Sequence, residues 1–272
     1  SEARAAGPAP RSLLIASGAR HIYGPEVAVT GYGRKAYGRG RAKWAGTKGP
    51  STTLPSTGTS HSSSNNNTIN FGTSGSSWGT ASHLVIYDAS TAGNILCFFA
   101  LTTPLSIGSG VPVSFPAGTI SFTLGLSSGM THFTANKVID YFFRGQAYAW
   151  PSTAYFGLFP TAPTDAGGGV EVSVAGGYSR TSTPFSLIAF SGTQSAGSTI
   201  ASSGTSGIIS NNLAVAFPAP TANWGTITHE GVFDAPSGGN LLFWNALDVS
   251  RTVLSGSSPQ THAPNSWSIT VA

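Results

Sequence analysis

One segment of this chain is written twice, 146 residues apart. Trp78-Gly-Thr-Ala-Ser-His83-Leu-Val-Ile-Tyr-Asp88-Ala89 returns as Trp224-Gly-Thr-Ile-Thr-His229-Glu-Gly-Val-Phe-Asp234-Ala235. Aligned without a gap, residues 44–101 and 190–247 agree at 22 of 58 positions, and many others exchange like for like: Ile69 with Val215, Tyr87 with Phe233, Phe98 with Trp244. An internal period fixes the unit of folding before any local pattern is read. Two related domains in tandem point to scaffolding or binding surfaces more readily than to a single catalytic cleft.

The repeat reaches upstream, where Glu26-Val-Ala-Val-Thr-Gly-Tyr32-Gly-Arg34 answers Glu171-Val through Gly177-Tyr178-Ser-Arg180, and downstream, where Ile120–Leu124 answers Trp267–Val271. Short runs rich in Val, Ile, Phe and Thr, broken by Gly, Pro and Asn, are the pattern of antiparallel strands. The expected fold is all-β: two tandem antiparallel β-sandwich domains, jelly-roll or Ig-like, with one short helix between them. The expected organisation is an N-terminal arm over 1–25, a first sandwich over 26–124, a linker with the helix over 125–150 and a second sandwich over 151–272. Period-two agreement of Leu96, Phe98 and Ala100 with Leu242, Trp244 and Ala246 assigns that face to the core. In the helix, Thr134 is the expected cap, Phe133 and Val138 the staple, and Gly145 the C-terminal stop. The polar stretches 51–67 and 198–212 read as long ordered loops.

Only 8% of residues are charged, against about 25% in ordinary soluble domains, so the surface is wet but nearly neutral, as suits a protein packed in an assembly. The charge is also segregated. Residues 1–48 hold nine of the thirteen basic side chains and two acids, a net +7; the other 224 residues hold four and seven, a net −3. One cysteine, Cys97, excludes an internal disulfide and aligns with Phe243 as an ordinary core residue. No apolar run is long enough to cross a bilayer as a helix, and Leu13–Ala16 is too short for a secretory core, so no membrane partner is expected.

Enzyme signatures are weak. Gly125-Leu-Ser127-Ser128-Gly129 fits a nucleophile elbow by chance composition. His83 and His229 precede Asp88 and Asp234 by five residues, without a third ligand for a metal. No paired carboxylates for glycosidic cleavage stand out, and Trp78 and Trp224 read as core anchors. No catalytic, cofactor-binding or metal-binding residue, and no cofactor, is expected.

Tyr155-Phe-Gly-Leu-Phe-Pro-Thr-Ala-Pro-Thr-Asp165, Glu171-Val through Arg180, Trp224-Gly-Thr and Gly238-Gly-Asn-Leu-Leu-Phe-Trp244, with the helix Asn136–Arg144, resemble small tailed-bacteriophage virion proteins usually labelled tail fibre protein. The resemblance covers nearly all of 130–272 and, more loosely, 26–124. The first copy departs from the pattern: it lacks the opening helix and the Gly-Leu-Phe strand, and carries extra basic residues. What the resemblance implies is a non-enzymatic structural protein, located in the virion and assembled in the host cytoplasm.

Candidate contact residues lie where the copies differ most. Arg34, Lys35, Arg39, Arg41 and Lys43 crowd one short stretch; in a strand, Arg39, Arg41 and Lys43 would share a face. Their counterparts in the second copy, Phe185, Leu187 and Ala189, are apolar. A solvated sheet edge, a contact with an acidic virion protein and a nucleic-acid contact all fit the basic stretch. The partners carried forward are capsid or tail proteins and copies of the chain itself, as a homotrimer by analogy with other β-rich phage proteins; nucleic acid is not expected. The resulting expectation is an accessory surface component, a capsid decoration or cement protein or a short tail-fibre subunit. The alternative is a host-surface carbohydrate-binding adhesin module.

Overall fold

The computed structural model describes residues 11–16, 33–126 and 129–270. The chain divides into two compact units, Ser1–Leu124 with Val138–Ala147, and Gly125–Lys137 with Tyr148–Ala272.

In the first unit, strands β1 (Arg11–Ala16), β2 (Lys35–Tyr37), β5 (Gly79–Tyr87) and β6 (Ile95–Ile107) form an antiparallel sheet in the order β2-β1-β5-β6. β3 (Ser62–Ser64) pairs with β8 (Ser121–Thr123), and β4 (Ile69–Thr73) with β7 (Pro112–Phe115). The core lies between the sheet and these two ribbons, where Leu84, Ile86 and Ile107 meet Trp44, Ile69, Val113 and Ile120. The second unit repeats this plan. β9 (Thr153–Phe159), β10 (Thr181–Pro184), β13 (Gly225–Phe233) and β14 (Leu241–Val253) form a sheet ordered β10-β9-β13-β14. β11 (Ile208–Ser210) pairs with β16 (Ser268–Thr270), and β12 (Val215–Ala216) with β15 (Thr261–His262). The fold is all-β with one helix, α1 (His132–Phe142), among the described residues. Each sandwich closes its second layer with two separate ribbons, where a jelly-roll or an Ig-like domain would have a continuous sheet.

Four local expectations are corrected. The stretch Arg11–Ala16, assigned to an arm, is the inner strand of the first sheet: Leu13 lies opposite Ile86 as Phe156 lies opposite Val232. The first copy therefore has the counterpart of the Gly-Leu-Phe strand, and a three-residue change of offset hid it from a gapless alignment. The rest of 1–25, and 26–32, lie outside the described residues. The basic stretch is not a strand beyond Tyr37. The Gly40 carbonyl accepts the N–H groups of Lys43 and Trp44, and the chain turns there, as the Ser186 carbonyl turns Ala189 and Phe190.

The helix begins earlier than its expected cap. The hydroxyl of Thr131 accepts the Thr134 N–H, and the Thr131 carbonyl accepts that of Ala135, so Thr131 takes the capping position. Phe133 consequently packs on Tyr148 and does not staple Val138. Gly145 closes the helix as read: its φ is +63°, and Gln146 N–H returns to the Asp140 carbonyl.

The face assigned to the core on β6 is the wrong one from Phe98 onward. Cys97 lies opposite Ile86 and packs on the core, whereas Phe98 lies opposite Val85 and is 48% exposed. Both faces of these sheets carry apolar residues. In the second unit Phe159, Phe233 and Leu241, with Trp244, form a cluster separate from the main core, so alternation alone could not choose the face.

The helical segment assigned to the first unit completes that unit's core. Ile139 and Phe143 join it, and Phe143 packs on Trp44 at 4.9 Å and on Phe122 at 5.0 Å. Next to them the fully buried Arg144 guanidinium pairs with Asp140 at 2.6 Å and donates to the carbonyls of Trp44 and Leu54. Asp140 in turn accepts the N–H and hydroxyl of Ser56. In the second unit the equivalent loop is filled from within. The Gln194 amide donates to Ser198 and to the carbonyl of Ile200, the counterpart of Leu54, and Phe185 stacks on Phe190 at 5.7 Å.

Candidate functional site

The residues singled out for contact fall into two kinds. Arg34 is committed internally. Its guanidinium sits 3.5 Å over the Tyr87 ring and donates to the carbonyls of Ala89 and Ala92. Arg180 does the same in the second copy, 3.2 Å over Phe233 and bonded to Ala235 and Gly238. It is also clamped by Glu171 at 2.7 Å, and Tyr178 donates to the same carboxylate. Burial first, and then the Glu171 charge, push the Tyr178 hydroxyl well above its ordinary pKa, so it remains a neutral donor. These arginines pin the hairpin loops 88–94 and 234–240.

The remaining basic residues surround one turn. Lys35 is exposed on the edge strand β2; Lys43 is exposed with its ammonium 5.7 Å from the Tyr37 ring; Arg41 is half-buried; Arg39 leans on Tyr141 at 5.2 Å. The equivalent turn in the second unit exposes Phe185, Leu187 and Ile188, the last at 67%. Its neighbour Leu213 is also exposed, next to Asn212, whose N–H bonds the Ala189 carbonyl. The same turn is therefore cationic in one copy and apolar in the other.

The His–Asp pairs do not form. Asp88 and Asp234 fold into their own loops, accepting the N–H of Asn94 and Asn240 at 2.7 Å, and His83 and His229 bond the hydroxyls of Ser82 and Thr228. Among the described residues no group of three His, Cys, Asp or Glu side chains is placed to hold a metal. No described helix is long and apolar enough to cross a membrane. The elbow serines, Ser127 and Ser128, lie outside the described residues. Trp224 is buried and donates to the Gly176 carbonyl, and Trp78 packs against the first core.

A pair of matching clefts escaped the sequence reading. On β5, Ala81 pairs with Leu105 but His83 with Ala100; on β13, Ile227 pairs with Arg251 but His229 with Ala246. Four residues, 101–104 or 247–250, thus stand opposite one, a wide bulge repeated in both copies. Bulges of this kind re-aim side chains and recur beside binding sites. Each bulge walls a cleft, about 470 Å³ in the first unit and about 580 Å³ in the second. The first is lined by Leu101, Leu105, Phe115 and Ile120 together with uncharged hydroxyl-bearing residues such as Thr102 and Ser114. The second has Glu230, Asp248, Arg251 and His262 on its walls, with Glu230 Oε2 2.6 Å from His262 Nε2 and the Glu230 side chain 7% exposed. The signal was present in the alignment, where Leu84 stands against Glu230 inside otherwise matched strands.

A search of characterised proteins gives no match. The profile of one family, podophage GP4 fiber I protein gp80, matches residues 12–123 and again 129–269, so each match spans the strands of one sandwich, the first from within β1 and the second together with α1. With nearly the whole length matched, and matched twice, the chain belongs to the podophage GP4 fiber I protein gp80 family as a tandem duplication of its unit.

Proposed function

We propose that this protein is a non-enzymatic accessory component on the outside of a podophage particle, a decoration protein of the capsid or a short fibre subunit, held there by protein–protein contacts. A podophage fibre protein is a structural component of the virion and acts through other virion components. The observation that carries the finer reading is the duplicated turn. Lys35, Arg39, Arg41 and Lys43 present positive charge to an acidic neighbour, and Phe185 and Leu187 present apolar surface to a second copy of the chain, within a homotrimer. Exposed charges steer encounter and fix register, while exposed apolar side chains supply burial.

The test is attachment of the purified full chain to particles lacking it. Lys35→Glu with Lys43→Glu should weaken attachment several-fold and flatten its salt dependence, at about 0.2–1 kcal/mol for each exposed pair lost. Leu187→Ser with Ile188→Ser, both exposed, should lower the oligomeric mass seen by light scattering and leave the thermal midpoint close to that of the parent. Charge reversal without effect on attachment would remove the basic turn from the reading. A second reading, a carbohydrate-binding adhesin module, is favoured by one observation, the polar cleft of the second unit.

A further inference from the structure

We infer that the cleft walled by residues 247–250 is a binding site for a neutral saccharide, with Glu230 and Asp248 as acceptors and Arg251 and His262 as donors. This deepens the adhesin reading and rests on it.

The first copy is an internal control for what the fold requires. Register matches the two clefts position by position: Ile69 pairs with Phe115 as Val215 pairs with His262, so Phe115 corresponds to His262. Leu84 corresponds to Glu230, Thr102 to Asp248 and Leu105 to Arg251. The same backbone therefore places two apolar residues of one core cluster, Leu84 and Phe115, in the first copy, Leu84 fully buried, and a Glu230–His262 pair in the other. A buried polar or charged pair is commonly no more stabilising than a well-packed apolar pair of similar volume, because the cost of desolvating the polar groups offsets their attraction. Folding stability therefore does not account for the exchange. A mouth that collects acceptors and donors does.

The class of ligand follows from the charge pattern. Two carboxylates oppose a phosphate or sulfate, and Arg251 opposes a cation, so neither kind of ion is matched by the whole cleft. A molecule with several hydroxyl groups, each able to donate and accept, can satisfy carboxylate, guanidinium and imidazole together. Asn245, whose amide donates to the Ser268 carbonyl, and the hydroxyl of Ser266 add further polar groups to the wall. The floor is not a stacking platform: Trp267 is 5% exposed and its ring packs edge-on against Phe156 at 5.0 Å. Recognition would be through hydrogen bonds, with weak affinity for a single sugar.

The experiment is saturation-transfer NMR on the full chain with millimolar methyl glycosides of glucose, galactose, N-acetylglucosamine and rhamnose. Sodium sulfate and a mixed-charge tetrapeptide are run alongside, with the imidazole signals of His262 as reporter. Glu230→Leu with His262→Phe rebuilds the first copy's pair; it should keep or raise the thermal midpoint and weaken glycoside binding at least about tenfold. Glu230→Gln, which preserves shape, should weaken binding without unfolding. Host-cell polysaccharide in a second arm distinguishes a surface glycan from free sugar. Saccharide binding undiminished in the double variant overturns this site while leaving the adhesin reading intact; absence of binding to every glycoside and to host polysaccharide overturns both. A response to sulfate or peptide in place of sugar overturns the ligand class.

Discussion

Arg144 shows how much one side chain can decide in a chain so poor in charge. Its guanidinium is fully buried, and Asp140, Trp44 and Leu54 take up its donors. Arg144→Met leaves Asp140 buried opposite Ser56 with its countercharge gone, which costs about 3–5 kcal/mol in comparable buried pairs. A fall of that size in the unfolding free energy of the first unit, read by urea denaturation, is the expected outcome; a change within experimental error would show the pair to be dispensable. Asp234 sets a second residue-scale test. Burial pushes its pKa up, but hydrogen bonds from the Asn240 side chain and backbone outweigh that and leave it below its ordinary value. The folded state thus favours the carboxylate. Its contribution is complete above the ordinary carboxylate range and disappears as pH falls through the lowered value. Protection of the Asn240 amide, taken relative to intrinsic exchange at each pH, should fall as the solution is acidified through that window, and Asp234→Asn should abolish that fall.

At the scale of elements, the helix and the bulged hairpins carry the argument. Gly145 holds a left-handed conformation at φ +63°, so Gly145→Ala should destabilise by roughly 1–2 kcal/mol, and Gly145→Asn by less, in a thermal melt. This stop was legible in the sequence, as were the repeat and the all-β character, because glycine and like-for-like exchanges leave local marks. What was not legible depended on pairing between distant strands. β1 was missed because its offset from β9 differs from that of the rest. The face of Phe98 was misassigned because that sheet is apolar on both sides. Arg39 to Lys43 alternate in sequence, yet the Gly40 carbonyl turns the chain before any strand face can exist. The Glu230–His262 pair joins β13 to β15 across the sandwich, and nothing local in either strand announces the other.

For the whole molecule, the division into units does not follow the order of the copies. Val138–Ala147 lies beyond the first copy in sequence and belongs to the first unit in space. A fragment ending at Leu124 lacks Ile139, Phe143 and Arg144, and so lacks part of its own core. It should give poorly dispersed amide spectra and no cooperative melt, while extension to Ala147 restores both. A cooperative melt of the shorter fragment would show that the helical segment is an ornament. The second unit needs no such loan, since Phe185 and Gln194 occupy the corresponding places from within its own chain.

This borrowed segment imposes a timetable on biosynthesis. When Leu124 has emerged, the first sandwich is still missing a wall, and it must wait for another 23 residues, to Ala147, before it can close. At about 5–20 residues per second, that leaves an interval of roughly 1–5 s in which Trp44 and Phe122 stay uncovered on the nascent chain.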